Sequence, residues 1–286
     1  MSQVKKYSQL MLIWRRLSKN RAAVFGAGLI LAFSLAATFA PILTPYDPIQ
    51  QDLDHSLELP SINHPLGRDE LGRDILTRVI YGTRVSLMIG AVAIAIGLAV
   101  GVPLGEISGY YGGKIDFAIQ RAVDIMLAFP GILLALALVA ILGVGLQNVI
   151  VAVGVSSIPI YIRLVRGSVL SIRELEYVQA ARALGVRQYV ILGRHVLLNC
   201  SAPIIVQSSL SLGTAILVAA GLGFLGLGVQ PPTPEWGAML GTGRTYLFSA
   251  PHVATFPGIA IFLAVLGFNL LGDCLRDALD PRLKIL

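Results

Sequence analysis

The sequence predicts an all-α protein that crosses a membrane six times, and three observations carry that prediction. Apolar residues make up 55% of the chain and charged ones only 13%, a balance that the surface of a water-soluble domain does not have. The apolar residues gather into six stretches of about 20, the length a helix needs to cross roughly 30 Å of hydrocarbon. Lys and Arg fall unevenly between those stretches, as the retention of positive loops in the cytoplasm requires.

The elements follow in order. Residues 1–22 mix Tyr7, Leu10, Met11, Ile13, Trp14 and Leu17 with Lys and Arg, which suits a short cytoplasmic helix lying on the inner leaflet. Residues 23–43 form the first span. The pair Arg15-Arg16 before it and the small residues Ala37 and Ala40 within it resemble a cleaved signal, but an apolar run of about 21 residues is too long for one, so the span is expected to be retained. An outer segment, 44–84, carries seven acids and four arginines between Asp47 and Arg84. The core, 85–275, holds five more spans near 85–105, 125–145, 148–168, 201–228 and 252–272, and residues 276–286 form a cytoplasmic tail. With both termini inside, 17 of the 22 basic residues are cytoplasmic, and the net charge is +9 inside against −3 outside. The formal +6 is therefore a signature of topology. No basic patch with interleaved aromatics points to nucleic acid.

Within the core, a polar stretch at about 171–200 interrupts the apolar runs. Glu176-Tyr177-Val178-Gln179-Ala180-Ala181-Arg182-Ala183-Leu184-Gly185 reads as an amphipathic helix closed by a glycine, and His195 to Asn199 continues into a second helix. On one face of a bilayer this forms a docking surface, through which something outside the chain can move it. In the second span Ala93, Gly97, Gly101, Gly105, Gly109 and Gly113 recur every fourth residue, a ladder that lets another helix backbone approach closely. Pro103 within it predicts a kink. Charges at the membrane edges are expected to pair locally, Arg121 with Asp124 and Asp116, and Arg276 with Asp273, Asp277 and Asp280.

Catalytic and metal signatures are missing. Gly221-Leu222-Gly223-Phe224-Leu225-Gly226 matches a dinucleotide fingerprint by letter, but it ends an apolar span instead of linking strand to helix. The sequence has no phosphate-binding loop, no zinc helix and no nucleophile elbow. The four histidines are irregularly spaced, and Cys200 and Cys274 lie at the reducing cytoplasmic edge. No metal or cofactor is expected on this chain.

The motifs do resemble a known family, the inner-membrane permease subunits of ATP-binding-cassette importers for dipeptides, oligopeptides, glutathione and nickel. The resemblance runs through His64-Pro65-Leu66-Gly67-Arg68-Asp69-Glu70-Leu71-Gly72-Arg73-Asp74, Tyr81-Gly82-Thr83-Arg84-Val85-Ser86-Leu87, Gln179-Ala180-Ala181 with Gly185, Gly223 to Gly228 into Pro231-Pro232-Thr233-Pro234-Glu235-Trp236-Gly237, and Phe268-Asn269-Leu270-Leu271-Gly272-Asp273. It implies a type I importer permease fold in a bacterial inner membrane. It also implies four kinds of partner: a sister permease, two cytoplasmic ATPases that hold ATP and Mg, a periplasmic substrate-binding protein, and membrane lipid.

The same resemblance implies that Glu176, Gln179, Ala180, Ala181, Arg182, Gly185 and Arg187 belong to a coupling helix seated on the ATPase. Arg68, Asp69, Arg73, Asp74, Pro231, Pro232, Glu235 and Trp236 would face the binding protein or gate the outer mouth. Gly97, Gly101 and Gly105 would pack helices. Gln179 stands where the family has Glu, and Leu198 where it has a Pro that breaks the helix. A self-contained secondary transporter would show embedded ionisable groups and broken midplane helices, and an intramembrane hydrolase would show a nucleophile and base at one depth; neither pattern is present.

Overall fold

The computed structural model describes residues 15–279, and among these the structure is helical, with one isolated bridge between Arg68 and Asp74. Asn20 caps α1 (Arg21–Leu43) by accepting from the Ala22 and Ala23 amides. α2 (Ile75–Tyr111) has 37 residues, about 55 Å at 1.5 Å per residue. That exceeds a bilayer, so α2 begins ten residues before the expected span and rises into the outer segment. Asp74 caps it, accepting from the Thr77 amide at 2.7 Å and the Thr77 hydroxyl at 2.6 Å.

The third expected span is not one helix. α3 (Gly113–Leu127) and α4 (Gly131–Leu142) meet at 88°, because Pro130 cannot donate to the preceding turn and holds Phe129 out of the helical region. Five helices among the described residues are long and apolar enough to cross a membrane, or six if this bent pair counts as one span. α5 (Leu146–Ile172), α6 (Glu176–Ala183), α7 (Gln188–Phe224), α8 (Trp236–Gly243) and α9 (His252–Leu279) complete the chain. The Gly221–Gly226 run closes α7 and precedes a turn, far from any strand–helix junction.

The glycine ladder packs α2 against α5. A Cβ on Gly101 would lie 2.6 Å from the Tyr161 Cβ, one on Gly105 2.7 Å from the Ile162 carbonyl, and one on Gly109 2.8 Å from the Val169 Cβ; Gly97 faces Ser157 and Tyr161. The ladder ends there. Gly113 follows the Gly112 turn with φ +56 and open space around it, so the expected sixth rung is a chain reversal instead. α2 continues through Pro103 to Tyr111 as one helix.

The expected local charge pairs are replaced by pairs between helices. Asp116 on α3 receives both Nε and Nη2 of Arg166 on α5, at 2.6 and 2.7 Å. Asp124 takes Arg163 at 2.6 Å. Arg121 pairs with neither acid among the described residues, because both acids turn toward α5, where the two arginines are one helical turn apart. Asp273, Arg276 and Asp277 form no ion pair among the described residues, and Asp280 lies outside them.

Candidate functional site

Two assemblies stand at opposite ends of the helix stack. The first is the polar segment between α5 and α7. α6 is held to the body by one side, where Val178 is fully buried in a cluster with Tyr110, Val165, Val169, Ile191 and Val196. Its other side, with Glu176, Gln179, Ala180 and Ala183, is exposed; these positions recur at three- and four-residue spacing and form a single stripe.

The end of α6 is closed by a reversal that only glycine makes without strain. The Gly185 amide donates to the Arg182 carbonyl at 3.0 Å and the Val186 amide to the Ala181 carbonyl at 3.1 Å, the two bonds of a Schellman cap, and Gly185 takes φ +73. Val186 and Ala181 both pack on the same cluster. The pair Ala180-Ala181 is thereby split: Ala181 faces the chain's own core and Ala180 faces outward. Arg182 lays its guanidinium over the Tyr110 ring at 5.2 Å, Arg187 donates to the Tyr189 hydroxyl at 3.0 Å, and the Gln179 amide donates to the Glu174 carbonyl at 3.1 Å. Leu184, 83% exposed, projects beyond the turn.

The helix break that a Pro at 198 would impose is absent. α7 instead carries a π-helical turn at Ile191–Val196 and runs on through Leu198 to Phe224. Asn199 donates to the His195 carbonyl at 2.7 Å and to the Tyr177 hydroxyl at 3.0 Å, tying α6 to the start of α7.

The second assembly is the outer cap. Arg68 reaches Asp52 at 2.6 Å, Glu58 at 3.1 Å and the His64 Nε2 at 2.8 Å, and the opposite ring nitrogen of His64 meets Asp74 at 2.9 Å. Arg73 joins Asp69 at 2.7 Å and Glu70 at 2.8 Å. The Arg68 guanidinium holds the Asp52 carboxyl below its ordinary range, whereas burial, with the Asp69 charge adding to it, raises Glu70. Gly72 takes φ +70, and a side chain there would also run into the Asp52 carbonyl, so glycine is required on both counts.

Arg78 connects this cap to the proline turn, donating to the Pro48 carbonyl at 2.8 Å and to the Pro232 carbonyl at 3.4 Å. Beyond the turn, Glu235 caps α8, accepting from the Gly237 and Ala238 amides at 2.8 Å each and from the Ser86 hydroxyl at 3.2 Å. The Trp236 indole donates to the Val79 carbonyl at 2.9 Å and meets Phe33 edge-on at 5.5 Å; Gly82 leaves room for its ring.

These placements divide the expected outer contacts. Pro231 and Pro232 are exposed and the Arg68 side chain is 15% exposed, but Asp69, Arg73, Asp74, Glu235 and Trp236 are buried. In this conformation the buried five bind the cap to α2 and α8 and leave no surface for a partner. Sequence reading missed the anchors Val79, Gly82, Ser86 and Arg78. The motif holding Gly82 and Ser86 was visible, whereas Arg78 and Val79 lie before it, and the contact of all four with a turn some 150 residues later follows only from the fold.

Comparison with known proteins agrees with this architecture. Residues 101–285 match the family described as binding-protein-dependent transport system inner membrane component, and residues 8–63 match the N-terminal TM domain of oligopeptide transport permease C. The chain is 51% identical over 271 residues to the dipeptide transport system permease protein DppC of Alkalihalophilus pseudofirmus, covering 95% of this chain and 89% of that one. It is 50% identical over 273 residues to the glutathione transport system permease protein GsiD of Pectobacterium atrosepticum, covering 95% and 90%. Among solved structures, an inward-facing form of the MetNI methionine ABC transporter superimposes with a TM-score of 0.58 at 22% identity, over 72% of this chain and 98% of that one, a likeness of fold. A multi-pass helical stack and matches over nearly its whole length make this chain a member of the binding-protein-dependent transport family, an inner-membrane permease subunit of the type I ABC importer fold.

Proposed function

We propose that this chain is one of two permease subunits of an importer that carries small peptides inward, moved by ATPases that belong to other chains. The observation that carries the proposal is α6: a short helix anchored by one buried valine and a glycine cap, presenting a small-residue stripe outward. A helix held at one point and exposed along a narrow face suits insertion into a cleft. The stripe of Glu176, Gln179, Ala180 and Ala183 makes the contact, Leu184 extends it, and the turn between α2 and α3 adds a lesser one. ATP and Mg bind the partner subunits, whose closure pushes α6 and, through Val178, the inner ends of α2, α5 and α7. The central path then opens alternately to a periplasmic binding protein and to the cytoplasm. On the outer side, the exposed Pro231-Pro232 turn and the Arg68 rim receive the binding protein, with the buried ion network fixing their position. The cargo is inferred as small peptide because relatives about half identical to this chain are named for dipeptide and glutathione, and glutathione is itself a short peptide.

Affinity purification of the chain from its native membranes in mild detergent tests this reading, beside Ala180→Trp and Gly185→Asp. Neither change meets a buried neighbour: Ala180 is exposed, and a Cβ on Gly185 has nothing within 4 Å. The wild type is expected to bring down a second permease and two ATPases, and both variants to keep the permease and lose the ATPases. Retention of the ATPases by both variants, or recovery of the chain alone throughout, would overturn it.

A further inference from the structure

Two histidines distant in sequence meet on one turn of the outer cap. His64 and His252 are both buried, and both touch the segment Gly67-Arg68. The His252 ring, at the start of α9, lies against Gly67, where a Cβ would come within 2.7 Å of its Cδ2, and its Nε2 is 3.3 Å from the Arg68 carbonyl. His64 holds the side chain of the same arginine: its Nε2 is 2.8 Å from Arg68 Nη2 and its Nδ1 is 2.9 Å from Asp74 Oδ1. Asp74 is the cap of α2. The Arg68 turn is therefore joined to α2 through one imidazole and to α9 through the other.

The chemistry of these contacts sets the charge of both rings. A guanidinium has only donors, so His64 Nε2 accepts from Arg68, and the ring's one proton sits on Nδ1 and is donated to Asp74. A second proton would set N–H against N–H. His252 donates its Nε2–H to a carbonyl, while its Nδ1 is buried without a hydrogen-bond partner among the described residues. A proton added there would be a buried, unpaired charged donor. Both joints, as they stand, require neutral rings.

The surrounding charges decide which bond gives way. His64 shares a cavity of about 460 Å³ with Asp47, Asp52, Arg68 and Asp74, and the Tyr46 ring lies over it at 4.7 Å. Three carboxylates offer countercharge to an added proton, and Asp74 accepts from Nδ1 in either state. Arg68 is the cation of the set, and Asp52 at 2.6 Å and Glu58 at 3.1 Å hold it without the ring. Protonation therefore keeps His64 with Asp74 and parts it from Arg68. His252 is in no ion pair among the described residues, and the charged residue it touches is Arg68, itself a cation. Two other groups in the cap also respond to acid: Glu70, which burial raises, and His55 on Asp52, an exposed pair.

We propose that His64 and His252 form a pH-sensitive joint: the Arg68 turn is bound to α2 and α9 while both rings are neutral, and it comes loose as the outer medium is acidified through the range in which histidine gains a proton, between about pH 8 and pH 5. The sign follows from the bonds, since contacts made by the neutral form are kept above that range and lost below it. The cap stands on the side of the membrane where pH follows the surroundings. The Arg68 rim is also where the binding protein is proposed to dock, so acid weakens docking, a consequence that rests on that reading.

The test uses the full chain, purified with the subunits that accompany it and held in nanodiscs. Spin labels on Ile62→Cys in the cap and Phe248→Cys before α9, both at exposed positions, report the distance between the two by double electron–electron resonance. One narrow distance is expected at about pH 7.5, and a longer, broader one at about pH 5.5, on either side of the histidine range. His64→Gln with His252→Gln keeps a donor and an acceptor at each place and takes up no proton, so it should hold the narrow distance at both pH values. Glu70→Gln and His55→Gln should each leave the wild-type response in place. An unchanged wild-type distance, a response that survives in the double glutamine variant, or one that vanishes with Glu70→Gln or His55→Gln would overturn the joint. A double variant already open at both pH values would overturn it too, because the rings would then hold the cap by their shape and not by their charge. Affinity for the binding protein at the same two pH values separates this inference from the docking reading. If the cap opens while affinity stays constant, the joint stands and the Arg68 rim is not where the binding protein docks; if affinity falls while the cap stays closed, the joint falls and the rim keeps its role.

Discussion

Arg84 repairs a defect that Pro41 creates 43 positions earlier. Pro41 has no amide hydrogen, so the Ala37 carbonyl one turn before it has no helical donor. Arg84 reaches across from α2 to donate its Nε to that carbonyl and its Nη2 to the Thr38 carbonyl at 3.1 Å. Lipid offers no substitute donor. Arg84→Met is expected to lower stability by about 1–3 kcal/mol, and adding Pro41→Ala should return much of it, since residue 41 then supplies the missing amide. Thermal unfolding of the single and double variants in detergent reads this directly, and strictly additive losses would show that the carbonyl needs no partner. The glycines divide the same way. Gly101→Val, which must displace the Tyr161 side chain, should cost about 1–3 kcal/mol through overpacking. Gly113→Ala meets only open space and should cost no more than the roughly 1–2 kcal/mol of a left-handed backbone. A larger loss at Gly113 than at Gly101 would place the ladder one turn further along the chain.

Elements were legible wherever one period held over a long run, and were lost where a partner overrode it. The ladder in α2, the amphipathic α6 and its glycine stop were visible because each is local. The break before α4 was missed because apolar content hides a hinge: 125–142 is continuously hydrophobic apart from Pro130-Gly131, where proline outweighs hydropathy. The charges of α3 were misassigned for a related reason. Spacing within a helix shows which side chains can meet, but Arg163 and Arg166 on α5 lie closer to the two acids in space, and a bidentate guanidinium pair is stronger than an exposed one on a single helix. A double-mutant cycle on Asp116 and Arg166 should therefore return a coupling of about 1 kcal/mol or more. The same cycle on Asp124 and Arg163, both half-exposed, should return about 0.2–1 kcal/mol. Equal couplings, or coupling of Asp124 to Arg121, would show that α3 is not held by its charges as the structure has it.

At the scale of the molecule, the charge count foretold a vertical order that the helices then realise. The acidic outer segment folds into a closed ion network above α2, and the basic segment folds into the α6 hairpin below α5, with largely apolar helices between them. What no local pattern foretold is how tightly the outer end is bound: the cap, the proline turn, α8 and the start of α2 share Arg78, Ser86 and Trp236 across long sequence separations. The inner end is tied chiefly by the cluster around Val178 and by the Tyr177–Asn199 bond. This order requires the two ends to lie on opposite sides of the membrane, and single cysteines report it. Cys200 and Cys274 are buried and add little background. Ile62→Cys, at a position 99% exposed in the cap, and Leu184→Cys, at one 83% exposed beyond α6, are both placed where a thiol reacts without disturbing packing. In intact spheroplasts a membrane-impermeant maleimide is expected to label Ile62→Cys at once and Leu184→Cys only after the membrane is opened, the reverse holding for inside-out vesicles. Labelling of both from the same side would break the link between charge asymmetry and topology, and with it the assignment of α6 to the side where ATP is found.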